Sequence, residues 1–175
     1  MNEVIKTILN RKSVRSFSDK EVSDEIKEII LKAAMAAPSA MNRQIWEFYV
    51  IDDKELLKEL SEKLPYSKML AKAPFAIMIC GDTREKYDSD FWIQDCSAAT
   101  ENILLTVESL GLGAVWNGIY PRIERVKILQ KVFDLPKHLL PLNIIPIGYP
   151  DREYSPIDKW DDEKIHIVKS KKDIK

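Results

Sequence analysis

The run FAIMICG at 75–81 carries no charge and is apolar at both odd and even positions. A strand with one wet face alternates polar and apolar side chains, so a run apolar at both parities fits a central strand covered by helices on each side. It belongs to the core. Helical and strand patterns alternate around it. Val4, Ile5, Ile8 and Leu9 repeat at helical spacing. A second helix is expected over 24–37, with Ser23 as N-cap, Asp24 and Glu25 in its first turn and Pro38 ending it. A strand over 48–51 precedes a helix over 55–64 with Leu56, Leu57, Leu60 and Leu64 on one face, closed by Pro65.

The longest helix is expected over 91–110. Its polar positions Gln94, Asp95, Glu101, Asn102, Glu108 and Ser109 recur at seven-residue steps and form one narrow ridge. Asp95 reads either as buried or as part of that exposed ridge. The small residues CSAAT at 96–100 suit close approach of another backbone or core packing alone, and both readings stand. Gly111 and Gly113 break the helix, a strand starts over 114–116, an amphipathic helix runs over 122–133, and a further strand covers 143–148. Beyond Pro150 the chain is rich in charge and proline, with only Ile165, His166, Ile167 and Val168 resembling a final short strand. Such an arm packs on something outside its own core. The length of 175 residues suits one domain over 1–175, with 150–175 as an extended C-terminal arm.

With 27 Lys+Arg against 28 Asp+Glu, no overall field attracts nucleic acid or an anionic membrane. No apolar stretch reaches the ~20 residues that span a bilayer, and the N-terminus lacks a signal-peptide core. A cytoplasmic protein is expected. Cys80 and Cys96 lie in apolar surroundings and read as buried thiols of a reducing compartment. His138 and His166 have no second ligand at metal spacing, so no metal site is expected. Asp161 and Asp162 sit in a solvated tail. GLGAVW at 111–116 follows a helix and precedes a strand, the reverse of a dinucleotide fingerprint, and has Trp116 in place of its third glycine. No Walker lysine, nucleophile elbow or HExxH is present. The absence of a nucleophile or general-acid set suits a protein whose cofactor carries the chemistry.

The segment RKSVRSF at 11–17 carries Arg11, Lys12 and Arg15 with Ser13 and Ser16. In extended backbone Arg11, Ser13 and Arg15 share one face, aligning two guanidinium forks about a hydroxyl, a row that suits a phosphate and a second electron-rich group on one ligand. A solvated loop between two helices is the competing reading. RKSVRSF, APSAMNRQIWEF at 37–48, WIQDCSAATENILLTVESLGLGAVW at 92–116, WNGIYP and IGYP follow one another in this order. With them the chain closely resembles the nitroreductase family of FMN enzymes along nearly its whole length.

The resemblance implies an α+β fold, with a central mixed sheet flanked by helices. It also implies a homodimer whose flavins lie between the subunits and a C-terminal arm exchanged with the partner. It places Arg11 and Ser13 at the flavin phosphate, counts Lys12 between them as cofactor-binding, and puts Arg15 at the pyrimidine end of the ring, where negative charge gathers on reduction. Pro38, Ser39, Ala40, Asn42 and Gln44 match the segment that reaches the flavin from the other subunit. Trp116, Asn117, Gly118 and Ile119 match the loop beside the hydride-accepting nitrogen, and Lys159 the basic tail residue that closes on the phosphate. Ile45 stands where the family often has proline. A short loop over 82–90 implies an open pocket. Trp46, Trp92 and Trp116 read as core aromatics in preference to substrate platforms.

The implied activity is ping-pong transfer of hydride from NADH or NADPH to FMN and onward to a small acceptor such as a nitroaromatic or quinone. A flavin-binding or flavin-storage protein without dedicated turnover is the alternative. Neither nucleic acid nor membrane is expected as a partner.

Overall fold

The computed structural model describes residues 1–84 and 88–169. Helix α1 (Glu3–Asn10) is followed by α2 (Asp24–Met35), β1 (Trp46–Ile51), α3 (Lys54–Lys63), β2 (Phe75–Asp82) and α4 (Asp88–Ser109). The short strands β3 (Gly113–Ala114) and β4 (Asn117–Gly118), helix α5 (Ile123–Val132) and β5 (Leu139–Gly148) complete the order. Helix starts follow local chemistry: Ser23 Oγ accepts from the Ile26 N–H at the head of α2, and Asp53 caps α3 through the Leu56 N–H. Helix α4 ends where Gly111 takes φ 70°, with the Gly111 N–H on the Glu108 carbonyl and the Leu112 N–H on that of Val107.

The described strands form one five-stranded sheet, ordered β1-β2-β5-β3 with β4 also on β5. Its strand pairs are antiparallel, and mixed character is confined, among the described residues, to a parallel bridge between Ser13 and Ala114. Strand β2 is covered on both faces. Phe75, Ile77 and Ile79 pack with Ile30 and Ala34 of α2 and Cys96, Ala99 and Ile103 of α4, whereas Ala76, Met78 and Cys80 pack with Leu57 and Leu60 of α3 and Val126 and Leu129 of α5. Each large apolar side chain so buried contributes roughly 1.5–3 kcal/mol relative to exposure.

Within the small run 96–100, Cys96, Ala99 and Thr100 are fully buried while Ser97 and Ala98 are half-buried; Thr100 Oγ1 donates to the Cys96 carbonyl (2.7 Å), and Asn143 Nδ2 donates to Thr100 Oγ1 (2.9 Å). Both cysteines are free and buried. Burial pushes the Cys80 thiol far up and that of Cys96 up to about 12.

Strand β5 contains Pro141 and Pro146, which cannot donate to a ladder. The β2–β5 register shifts between Ile79 and Cys80, opposite Asn143 and Pro141, leaving Leu142 unpaired with β2. The freed Leu142 carbonyl accepts from the N–H groups of Ile119 (3.0 Å) and Tyr120 (3.1 Å). A sheet irregularity thus holds the loop after β4.

Two expected elements differ. The strand expected over 114–116 divides into β3 and β4, because Trp116 turns out of the ladder and Asn117 and Gly118 pair separately with β5. No strand forms at Ile165, His166, Ile167 and Val168; these residues are exposed and meet no strand edge within the described chain. The tail from Asp151 runs along the surface with Ile157 at 77% and Trp160 at 76% exposure. The apolar face of α1, Val4, Ile5, Ile8 and Leu9, is likewise exposed. The loop expected over 82–90, and with it the open pocket, falls partly outside the described residues. No described helix is long and apolar enough to cross a membrane.

Candidate functional site

The Arg11–Arg15 stretch leaves α1 and docks on the sheet. Its Val14 N–H donates to the Ala114 carbonyl at 2.9 Å, and the Val14 side chain is buried, which turns Ser13 and Arg15 outward. Lys12 Nζ lies 2.8 Å from Glu108 Oε1 and Arg11 Nε 3.6 Å from Glu101 Oε1, so both side chains reach helix α4. The Arg11 pair has an exposed carboxylate and leaves most of the guanidinium fork unused.

Arg11, Lys12, Ser13, Arg15, Tyr154 and Lys159 line one cleft of about 290 Å³. Among the described residues, Arg15 and Lys159 have no ion-pair partner. Tyr154 Oη is buried there without a hydrogen bond of good geometry, although the Arg152 guanidinium lies 5.2 Å from the phenol ring. Arg15 and Lys159 are exposed cations available to an anion with several acceptors, and the buried Tyr154 hydroxyl has the Arg152 guanidinium beside it. The donor set fits a phosphate monoester.

The second group follows α2. Pro38 precedes a 3-10 turn, Ala40–Asn42, and Met41, Asn42 and Gln44 have φ of 53°, 54° and 53°. Left-handed backbone costs non-glycine residues on the order of 1 kcal/mol each, so this segment needs fixing. Ser39 Oγ accepts from the Gln44 N–H (2.9 Å), Gln44 Nε2 donates to Asn42 Oδ1 (3.1 Å), and Asp95 Oδ1 accepts from the Ala40 N–H (3.0 Å). Asp95 is buried, which decides between its two sequence readings. Its role in shaping the Ser39–Ala40 backbone has no mark in its periodicity, since only the fold brings the turn to it. Ile45 is buried in the core, so the residue in the proline position contributes apolar packing instead of a fixed φ. Asn42 and Gln44 are exposed, and Gln44 lines a separate cleft of about 350 Å³ with Arg43, Glu47 and Asp82.

The third group is the loop on the β5 irregularity. Asn117 is buried and its Nδ2 donates to Ser67 Oγ (2.6 Å); the Gly118 carbonyl accepts from Arg125 Nη1 (2.8 Å); Ile119 is fully buried. Trp46 and Trp92 are core aromatics as expected, but Trp116 is 37% exposed, because it leaves the ladder between β3 and β4. A Cβ on Gly118 would meet only Trp116 Nε1, at 3.9 Å, so the chain's own packing does not demand glycine there. That space is open to a ligand.

The structure joins Arg11, Lys12, Ser13 and Arg15 with Lys159, and through the Ser13–Ala114 bridge brings them near the start of the Trp116–Ile119 loop. It does not bring Pro38 to Gln44 into the same cleft. Asp95, which holds Ala40, and Glu108, which holds Lys12, lie about 20 Å apart along α4 at 1.5 Å rise per residue.

The sequence profile described as "Nitroreductase family" matches residues 8–65 and 58–149. The chain belongs to the nitroreductase family. Its relatives include a protein of Archaeoglobus fulgidus named "Putative NADH dehydrogenase/NAD(P)H nitroreductase", 46% identical over 97% of this chain and 99% of the relative. An FMN-dependent nitroreductase structure from Clostridium difficile is 35% identical with a TM-score of 0.86, covering 93% of this chain and 98% of its own. A protein from Desulfovibrio desulfuricans, solved in complex with FMN, is 30% identical with a TM-score of 0.86 over 96% of this chain and 98% of its own. The α+β nitroreductase fold expected from the sequence is therefore present, and its helix-covered antiparallel sheet is the scaffold on which all three groups stand.

Proposed function

We propose that this nitroreductase-family chain is an FMN-dependent oxidoreductase that oxidises NADH or NADPH and reduces a small acceptor of the nitroaromatic or quinone class. The observation that carries the reading is the cleft that brings the guanidinium groups of Arg11 and Arg15, the Ser13 hydroxyl and the Lys159 ammonium together. FMN, held there, would supply two-electron redox chemistry between the nicotinamide and the acceptor, in ping-pong order.

The chain supplies position and charge. Arg11, Ser13 and Lys159 would hold the phosphate through charge-assisted bonds, with Lys12 held back on Glu108 as the nearby second cation. Arg15 places a fixed positive charge farther along the same ligand. Asn42 and Gln44 present exposed amides for the polar edge of the ring, and the Gly118 backbone allows close approach.

The whole chain acts as one flavin-binding domain, and two copies complete each site. Three observations support the pair: the exposed apolar face of α1, the apolar residues along the tail, and the separation of the two binding segments along α4. The segment beyond Lys159 then reaches the partner as an arm, since Tyr154 and Lys159 line this chain's own cleft.

Purified protein should be yellow, and anaerobic stopped flow should show bleaching of its flavin absorbance by NADH or NADPH and recovery on adding a nitroaromatic. Flavin that neither nicotinamide bleaches would overturn the catalytic reading and leave flavin binding alone. A single-chain mass in equilibrium sedimentation, with flavin still bound, would overturn the shared site.

A further inference from the structure

Tyr66 is 85% exposed, the most solvent-accessible large apolar or aromatic side chain among the described residues, and its backbone has φ 60°. Both features are unfavourable for the isolated fold: the ring gains no burial energy, and left-handed backbone disfavours a residue with a Cβ. The turn is nevertheless firmly held. The buried Ser67 donates through Oγ to the Pro65 carbonyl (3.1 Å) and accepts from Asn117 Nδ2 (2.6 Å). On the other side the Arg125 guanidinium lies 5.9 Å from the centroid of the Tyr66 ring, while its Nη1 donates to the Gly118 carbonyl at 2.8 Å. Arg125 Nε is buried without a hydrogen-bond partner, so this arginine forgoes a bond to occupy that place.

Two bridges therefore fix Tyr66 relative to the Trp116–Gly118 stretch, one through Ser67 and Asn117 and one through Arg125. An exposed aromatic ring on a held turn, linked to the Gly118 carbonyl through Arg125, is suited to stacking a planar ring. We propose that Tyr66 is a specificity-determining residue for the acceptor, stacking planar aromatic acceptors brought to the Gly118 backbone and setting their KM. The inference rests on the oxidoreductase reading above. Small inorganic acceptors gain nothing from this ring.

Tyr66→Gly tests the idea without threatening the fold, because glycine takes φ 60° without strain. Steady-state kinetics of the flavin-loaded protein would compare a nitroaromatic, a quinone and ferricyanide. The expected result is a fall of about five- to tenfold in kcat/KM for the ring-bearing acceptors relative to ferricyanide, carried by KM, with Tyr66→Phe restoring the wild-type ratio. An unchanged ratio in Tyr66→Gly overturns the proposal. So does loss of the dimer with an unchanged ratio, which would make Tyr66 a subunit contact. Wild-type protein inactive with every acceptor sinks the oxidoreductase reading and this inference with it, whereas an active wild type with an indifferent Tyr66→Gly sinks the stacking role alone.

Discussion

A Cβ on Gly113 would lie 2.6 Å from Val14 Cβ, with both Val14 methyls inside 3 Å. The contact seats the Arg11–Arg15 stretch on β3, so the phosphate-competent row is placed by a glycine that carries no chemistry. Gly113→Ala should lower stability by about 1–3 kcal/mol through overpacking. It should also weaken FMN binding, as thermal melting with and without flavin would show. A melting point equal to that of the native protein would mean that Val14 yields freely.

Arg15→Ala should weaken FMN binding by roughly 10- to 100-fold, the worth of a charge-assisted bond of about 1.5–3 kcal/mol. Lys159→Ala should act in the same direction. Lys12→Ala should do much less, because the Lys12 ammonium is already committed to Glu108. Titration of the apoprotein with FMN, followed by quenching of flavin fluorescence, ranks the three. The Arg15 variant should also have a lower flavin reduction potential, since a positive charge that favours the electron-rich state has been removed.

Asp95→Ala should release the Ala40 N–H and loosen the strained turn, costing about 1–3 kcal/mol as a buried donor loses its acceptor. Asp95→Asn keeps an oxygen at that place and should retain most flavin affinity. Equal flavin affinity in Asp95→Ala and the native protein would remove Asp95 from any positioning role.

The thiols should be silent in the folded state. Burial holds Cys96 up to about 12 and Cys80 farther up, so the reactive thiolate is scarce at pH 8 and a thiol reagent should label neither until denaturant is added. Because the folded pKa values are raised above the unfolded value of about 8.5, the native state binds these protons more tightly. This contribution to stability is full below that pH and is lost as pH rises toward about 12. Denaturant midpoints from pH 8 to 10 should fall, and Cys96→Ala should flatten part of the slope.

Ile8→Glu puts a charge in the exposed apolar face of α1. It should shift the sedimentation mass from two chains toward one and weaken flavin binding with it, while changing monomer stability by less than about 0.5 kcal/mol, as for an exposed site. Retention of the dimer would point to another interface.

Much of the fold was legible because burial leaves periodic marks. FAIMICG marks a strand covered twice, Leu57, Leu60 and Leu64 mark the inner face of α3, and Ser23 and Pro38 bracket α2. The row Arg11, Ser13, Arg15 was legible as well, since alternation in an extended chain follows from local geometry alone. Asp95 was ambiguous because its place on the α4 ridge does not reveal that the Ala40 turn descends onto it. Trp116 was misread as core because composition favours burying tryptophan, and only the break between β3 and β4 exposes it.

By itself, then, the sequence determined the local choices: which segments coil, which extend, where they stop, and which residue types could hold a phosphate. Tertiary structure alone decided that Glu108 takes Lys12 aside, that Ser67 pairs with Asn117, and that Arg125 meets the Tyr66 ring. The physical reason is range. Propensity and periodicity act over a few residues, whereas these pairings join positions tens of residues apart, and only closure of a shared core brings them within bonding distance.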